Sequence, residues 1–326
     1  MEVVLRRANV GDAEVVQNLS LLCNPRYQES ACAWAKAIDD TDSGRNHYVA
    51  EIKPSTGSER PIVVGYGRYA LEHGTTQDCP KYRVYLGVHP ESRRQGIGSA
   101  LLEHMIGDLR RLGASGVRAR VQSDHAEELS FLRRREFSEY NRKVNLELDL
   151  RTLDAATVER SIREHDERMA ALDITIQSLA DWSREEPCYL SKLLPVYNSL
   201  GNDVPQPEPY KPVTIGELRR FLSQPDLSPD GFFVAIRKDD VVGFSYLLEP
   251  RREHHVIVGM TGVLPEFRRL KIATAMKLKG IRRALSLGIP TMVTSASTQN
   301  VASIAVNKGL GFKCTWEEVR LERWLN

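Results

Sequence analysis

The chain has 326 residues, 41% of them hydrophobic and 27% charged, with a formal net charge of +2. That length exceeds what one hydrophobic core comfortably fills, which points to two domains, and the near-neutral balance argues against a nucleic-acid surface. Five widely spaced cysteines with no CxxC pair fit reduced thiols rather than a disulfide framework or a zinc site; no apolar run nears the ~20 residues that span a bilayer and the first residues lack a signal-like apolar core, so the chain reads as cytoplasmic and away from membranes.

In chain order, residues 47–50 and 63–66 read as the two strands of a hairpin, joined by a loop that holds Pro54, Gly57 and Pro61. A strand over 82–88 runs into the turn His89-Pro90-Glu91-Ser92-Arg93-Arg94-Gln95-Gly96-Ile97-Gly98. Leu101, Leu102, Met105, Ile106, Leu109 and Leu112 then form a helical stripe, closed by Gly113 as a C-cap. A strand over 116–121, a second helix and a last strand over 143–150 complete the series, with Val144, Leu146, Leu148 and Leu150 sharing one face. Residues 154–172 are charged, with periodic Val158, Ile162 and Met169, and read as a linker helix capped by Asp154.

The series then repeats. Phe232-Phe233-Val234-Ala235 and Val241-Val242-Gly243-Phe244 match the first hairpin, and Gly262-Val263-Leu264-Pro265-Glu266-Phe267-Arg268-Arg269-Leu270-Lys271-Ile272-Ala273 matches the first turn. One constant offset pairs Arg93 with Arg268, Ala100 with Ala275, Ile106 with Ile281, Leu112-Gly113 with Leu287-Gly288 and Phe137 with Phe312. Ala275, Met276, Leu278, Ile281, Ala284 and Leu285 form the second helical stripe, and 291–295 and 314–321 the following strands. An uninterrupted register over so many residues marks an internal repeat. The expected organisation is a first domain over 1–152, a linker helix over 153–172 and a second domain over 173–326. Each is α/β with a mixed (α+β) sheet. A loop with Pro205, Pro207, Pro209 and Pro212 reads as a connection, with a border on the substrate cleft as the alternative.

A strand that turns into a helix leaves backbone N–H groups open to an anion. Gly96 and Gly98 allow the backbone to approach closely, and Arg93 and Arg94 add positive charge. In this setting Arg93-Arg94-Gln95-Gly96-Ile97-Gly98 resembles the acetyl-CoA signature of the GNAT superfamily of acetyltransferases. The second copy resembles the C-terminal halves of bacterial tandem members, the mycothiol synthase-like group among them. It does so through Thr261-Gly262-Val263, Ile272-Ala273-Thr274-Ala275-Met276-Lys277, Asn300, Asn307 and Leu310-Gly311-Phe312.

The resemblance implies two GNAT domains in tandem, with acetyl-CoA as co-substrate and no metal. The coenzyme would lie in a V-shaped opening between two splayed parallel strands. Strand amides near Leu86 and Val88 would bind its pantetheine arm and polarise the thioester. The implied coenzyme-binding residues are Leu86, Val88, Arg93, Arg94, Gln95, Gly96, Ile97, Gly98 and Ser99 in the first copy. In the second they are Val263, Arg268, Arg269, Lys271, Ile272, Ala273, Thr274 and Asn300. An amine on a small molecule or peptide would attack directly, a protein base or a water chain would remove its proton, and the thiolate would leave with a general acid's proton or, as the alternative, without one. No cysteine stands where an acyl-enzyme nucleophile is expected, and the chain is expected as a monomer or homodimer.

Several positions depart from the family pattern. Many members carry a tyrosine acid in the last helix, where this chain has Leu132 and Asn307, and His125 stands where the second copy has Asn300. Lys271 replaces the glycine that matches Gly96, while Ala273 is an allowed variant of Gly98. A positive φ or a close backbone approach at Lys271 would cost binding; a helical backbone would let its ammonium hold phosphate. Asn307 and Tyr85 are the catalytic candidates, Tyr85 with a core role as the alternative. His254 and His255 face opposite sides of a strand and chelate poorly; His89, Glu127 and Glu128 are expected at the surface. Two readings remain: an N-acetyltransferase in which one half is degenerate, or a module that binds CoA or acyl-CoA without transfer.

Overall fold

The computed structural model describes residues 2–24, 30–40, 45–53, 61–72, 74–76, 78–205, 207–249 and 255–325. The 54–60 loop and His254 lie outside these residues. The chain forms two compact units, one of Met1–Val121, His125–Tyr140 and Arg320–Asn326, the other of Gln122–Asp124 and Asn141–Val319.

In the first unit β1 (Glu2–Arg7), β2 (Asn46–Lys53), β3 (Ile62–Leu71) and β4 (Lys81–Val88) pair antiparallel in that order. On one face α3 (Ile97–Arg111) lays down its stripe, of which Leu101, Leu102, Met105, Ile106 and Leu109 are wholly buried, while Leu112 is exposed. Each such side chain contributes roughly 1.5–3 kcal/mol by leaving water. Gly113 follows in the left-handed region, as a helix C-terminus favours. On the other face α1 (Ala13–Cys23) and α2 (Ala31–Asp39) bring Val16, Leu19 and Trp34 against Val49 and Tyr66. β5 (Gly116–Gln122) runs parallel to β4, and α4 (Ala126–Arg133) follows. The far edge of β5 is filled by the last residues of the chain, where Leu325 N–H donates to Ser115 O at 2.9 Å.

The second unit takes β6 (Ser138–Asp149) from Asn141 onward and pairs it antiparallel with β11 (Thr291–Ser297). The order continues through β10 (His255–Val263), β9 (Asp240–Leu248), β8 (Leu227–Arg237) and β7 (Ile174–Ser178). α5 (Ala155–Ala170) is capped by Asp154, whose carboxylate accepts from Thr157 N–H at 2.9 Å. It packs Val158 and Ile162 against Leu278 and Ile281 of α9 (Ile272–Ser286), so it is built into this unit's core. α10 (Val301–Gly309) and the following Phe312 join the same face. α6 (Leu179–Glu185), α7 (Tyr189–Asn202) and α8 (Ile215–Leu222) cover the opposite face. Asn198 of α7 pins the proline-rich connection. Its Oδ1 accepts from Tyr210 Oη and Val213 N–H at 2.8 Å, and its Nδ2 donates to Val213 O at 3.0 Å.

The repeat series places the last strand of each copy with its own domain, whereas the units divide those strands. Residues from Asn141 belong to the second unit, and β12 (Lys313–Trp324) passes into the first at Arg320. There Glu322 is buried between Lys81 Nζ at 3.0 Å and Arg118 Nε at 2.7 Å. No helix among the described residues is long and apolar enough to cross a membrane.

Candidate active site

Both units release the edge of one strand. β4 pairs with β5 over Lys81↔Gly116, Tyr82↔Val117 and Arg83↔Arg118, and there the ladder stops. β10 pairs with β11 over His255↔Thr291, Val256↔Met292 and Ile257↔Val293, and again the ladder stops. Beyond the last pair no strand among the described residues pairs with this edge of β4 or β10, which leaves an opening suited to an extended amide-bearing ligand. Just past the apex of the second opening, Thr294 Oγ1 donates to Val258 O at 3.1 Å.

The two strands differ on their other edge. β4 pairs evenly with β3 from Leu71↔Tyr82 to Gly65↔Val88. β10 pairs with β9 at Val258↔Leu247 and resumes at Thr261↔Ser245, a bulge that sets Gly259 and Met260 against Tyr246. Only glycine fits at 259, because a Cβ there would come 2.0 Å from Tyr246 Cε2. Tyr246 stacks on Phe232 at 5.6 Å, and Tyr197 of α7 stacks on Phe244 at 5.4 Å. Burial pushes both phenols up, and for Tyr246 the backbone amide of Met260 partly opposes this.

Each strand ends in the same turn. Arg93 Nε donates to Val88 O at 3.1 Å, and Arg268 Nε to Val263 O at 3.0 Å, so these arginines brace the strand end. Arg268 also pairs with Asp203. Arg94 and Arg269 are exposed with φ 64 and 65. Gly96 has φ 84 and Lys271 φ 70, which settles the backbone at 271 as left-handed. Neither helix that follows has a side-chain cap, so its first N–H groups point into the turn. A Cβ at Gly98 would meet Phe131, Val88 and Leu86 at 3.6–3.7 Å, ordinary contact, consistent with Ala273 at the matching place.

Other predicted residues fall as follows. Leu86 and Val88 lie on β4 beyond the last β5 pair. Gln95 is exposed, with Nε2 3.4 Å from Glu91 O. Ile97 is buried. Ser99 accepts from Arg135, whose guanidinium lies 3.8 Å over the Phe131 ring. The coenzyme-binding set read from the sequence omits Arg135, a cation brought to the first turn; the Arg133-Arg134-Arg135 run was its signal. Tyr85 lies between the guanidiniums of Arg68 at 4.7 Å and Arg83 at 5.4 Å. Asn300 caps α10, accepting from Ser303 N–H at 3.1 Å. Asn307 is 1% exposed and its Oδ1 accepts no hydrogen bond among the described residues. Cys23 sets its thiol 3.5 Å from Val88 O, and burial pushes that thiol up.

Residues 195–312 match the model of the acetyltransferase (GNAT) family, and residues 43–139 match a second acetyltransferase (GNAT) domain model. The chain belongs to the GNAT acetyltransferase family. It carries two GNAT domains in tandem.

Among curated relatives of this GNAT protein, a mycothiol acetyltransferase of Acidothermus cellulolyticus is 24% identical over 286 residues, 81% of this chain and 77% of that one. Two solved structures share the fold along the whole chain. A GCN5-related N-acetyltransferase from Sphaerobacter thermophilus has a TM-score of 0.69 at 16% identity, covering 99% of this chain and 95% of its own. A tandem GNAT protein from the clavulanic acid biosynthesis pathway has a TM-score of 0.65 at 18% identity, covering 99% and 98%. Within this GNAT frame, Leu132 of the first unit is buried and apolar, so no acid stands at that place.

Proposed function

We propose that the protein transfers an acetyl group from acetyl-CoA to an amine on a small molecule or peptide, and that the second unit performs the transfer. The β10 bulge carries the reading. It sets Gly259 and Met260 opposite Tyr246, just past the last pair of β10 with β11. A thioester laid along that edge would meet backbone N–H groups directed at its carbonyl, the requirement for stabilising the oxyanion. The phosphates would rest on the open N-terminus of α9 at Ile272, Ala273 and Thr274. Tyr197, Tyr246 and Met260 would face the acceptor, and the mycothiol acetyltransferase relative favours a small polar amine.

The first unit supports a different role, binding of CoA without transfer. Its turn keeps Gly96, Ser99 and Arg135, but β4 lacks the bulge and Leu132 offers no proton. Thiol release from acetyl-CoA over a panel of small amines tests the main reading. Acceptor-dependent release supports it. Tight acetyl-CoA binding with no release for any amine would leave the non-catalytic reading in its place.

A further inference from the structure

α9 carries a cation on its buried face. Lys277 takes the position held by Leu102 in the first copy, inside the apolar stripe, and is 6% exposed. It lines a tight recess walled by Ser245, Val258, Gly280, Met292 and Phe312 among others. No wall residue other than Lys277 is titratable. The neighbouring cations of the helix turn elsewhere: Lys279 to Asp166 at 2.9 Å, Arg282 to Glu159 at 3.8 Å, Arg283 to Glu249 at 3.1 Å. Among the described residues nothing accepts a hydrogen bond from Lys277 or pairs with it. A lysine set this deep without a counter-charge is costly, and a leucine fills the same place in the first unit.

The recess lies at the apex of the splay. Val256↔Met292 and Ile257↔Val293 are the last pairs of the ladder, and Val258 is the first residue beyond it. α10 covers the same face of the sheet as α9, through Ile304, Leu310 and the following Phe312. Lys277 and Asn307, the residue at the tyrosine position, therefore belong to helices on one side of β10.

We propose that Lys277 donates the proton to the coenzyme A thiolate that leaves in the second unit, an inference that rests on acetyl-CoA lying in that unit's splay. The acceptor's neutral amine forms the C–N bond and the carbonyl pair moves to oxygen. As the tetrahedral species collapses the C–S bond breaks, its electron pair goes to sulfur, and sulfur takes a proton from Lys277 Nζ. The acceptor nitrogen releases one proton to solvent, and the neutral lysine regains one from solvent. The sum is amide plus CoA thiol. Burial without a counter-charge pulls Lys277 down to about 8, close to an ordinary thiol near 8.5. Ordinary values so close keep this proton transfer within reach, while the contact itself favours the ammonium–thiolate pair.

The test needs no acceptor. CoA binding is measured by calorimetry for wild type, Lys277→Met and Lys277→Arg, and the bound thiol is then titrated by its thiolate absorbance. An ammonium in contact with sulfur should lower the thiol by about 1–3 units in wild type and Lys277→Arg. Lys277→Met should lose that lowering while still binding CoA, and any coenzyme held by the first unit contributes equally to all three proteins. Methionine suits an apolar helical stripe; were it not to fold, the wild-type and arginine titrations alone still decide. A bound thiol that titrates at its free value in wild type, or identically in wild type and Lys277→Met, overturns the inference and leaves the coenzyme site standing. Wild type that binds no CoA overturns the coenzyme reading and this inference with it.

Discussion

Two residues in each of the matched turns sit in the left-handed region, a conformation that costs a residue with a Cβ about 1–2 kcal/mol. At one of these places the first turn uses Gly96 and the second Lys271, with φ 84 and 70. Lys271→Gly should therefore stabilise the protein by about 0.5–1 kcal/mol, the relief of strain less the extra freedom a glycine brings to the unfolded chain. A shift in the denaturant midpoint checks this, and an unchanged or lowered midpoint would contradict it. His47 makes a second prediction at this scale. It is 7% exposed, edge-on to Trp34 at 5.7 Å, and its Nε2 has no hydrogen-bond partner among the described residues. Burial, with Arg45 nearby, pulls it from 6.5 to about 4. The unfolded chain then binds a proton at a higher pH than the folded one. Stability is full above pH 6.5 and falls as the pH drops toward 4, by up to about 3 kcal/mol. His47→Phe should flatten that part of a thermal-melting profile taken from pH 7 to 4; an equal slope in the variant would show that another group is responsible.

At the scale of elements, the bulge in β10 is fixed by the contact of Gly259 with Tyr246. Gly259→Ala drives a methyl into that ring and should cost about 1–3 kcal/mol, since a packed site cannot take up added volume freely. Tyr246→Ala in the same chain removes the obstacle, so the pair should show a coupling energy well above the few tenths expected of independent sites. Additive effects would mean that the ring does not set the bulge. The stripes of α3 and α9, the caps at Asp154 and Gly113, and the hairpins were legible because each rests on local periodicity or on one residue's backbone preference. The bulge was not legible. It depends on a cross-strand partner, and in sequence the stretch Val258-Gly259-Met260-Thr261 reads as unbroken strand. Lys277 belongs to the second-copy signature, but nothing in that motif marks it as buried. Its neighbours form a normal apolar stripe, and only the matching Leu102 marks its place as a core position.

At the scale of the molecule, the repeat gave the GNAT fold twice because one offset carries turn, helix and strand together. The assignment of the final strands to compact units was beyond it. Alternation in β6 and β12 names a buried face but not a partner, and the pairing of Ser297 with Lys143, or of Glu322 with Lys81 and Arg118, joins residues far apart in the chain. The turn after β4 and β10 was legible as a motif. Which turn serves the transfer was not, since that depends on the strand behind it. The most direct test sets a carboxylate in each turn at matched positions, Thr274→Glu in the second unit and Ser99→Glu in the first, and measures kcat/KM for acceptor-dependent thiol release. A like charge against a phosphate costs several kcal/mol, and about 1.4 kcal/mol is a factor of ten. Thr274→Glu should lower kcat/KM by roughly 100-fold or more, and by at least tenfold more than Ser99→Glu does. The reverse order, with Ser99→Glu the more damaging, would assign the transfer to the first unit and contradict the account.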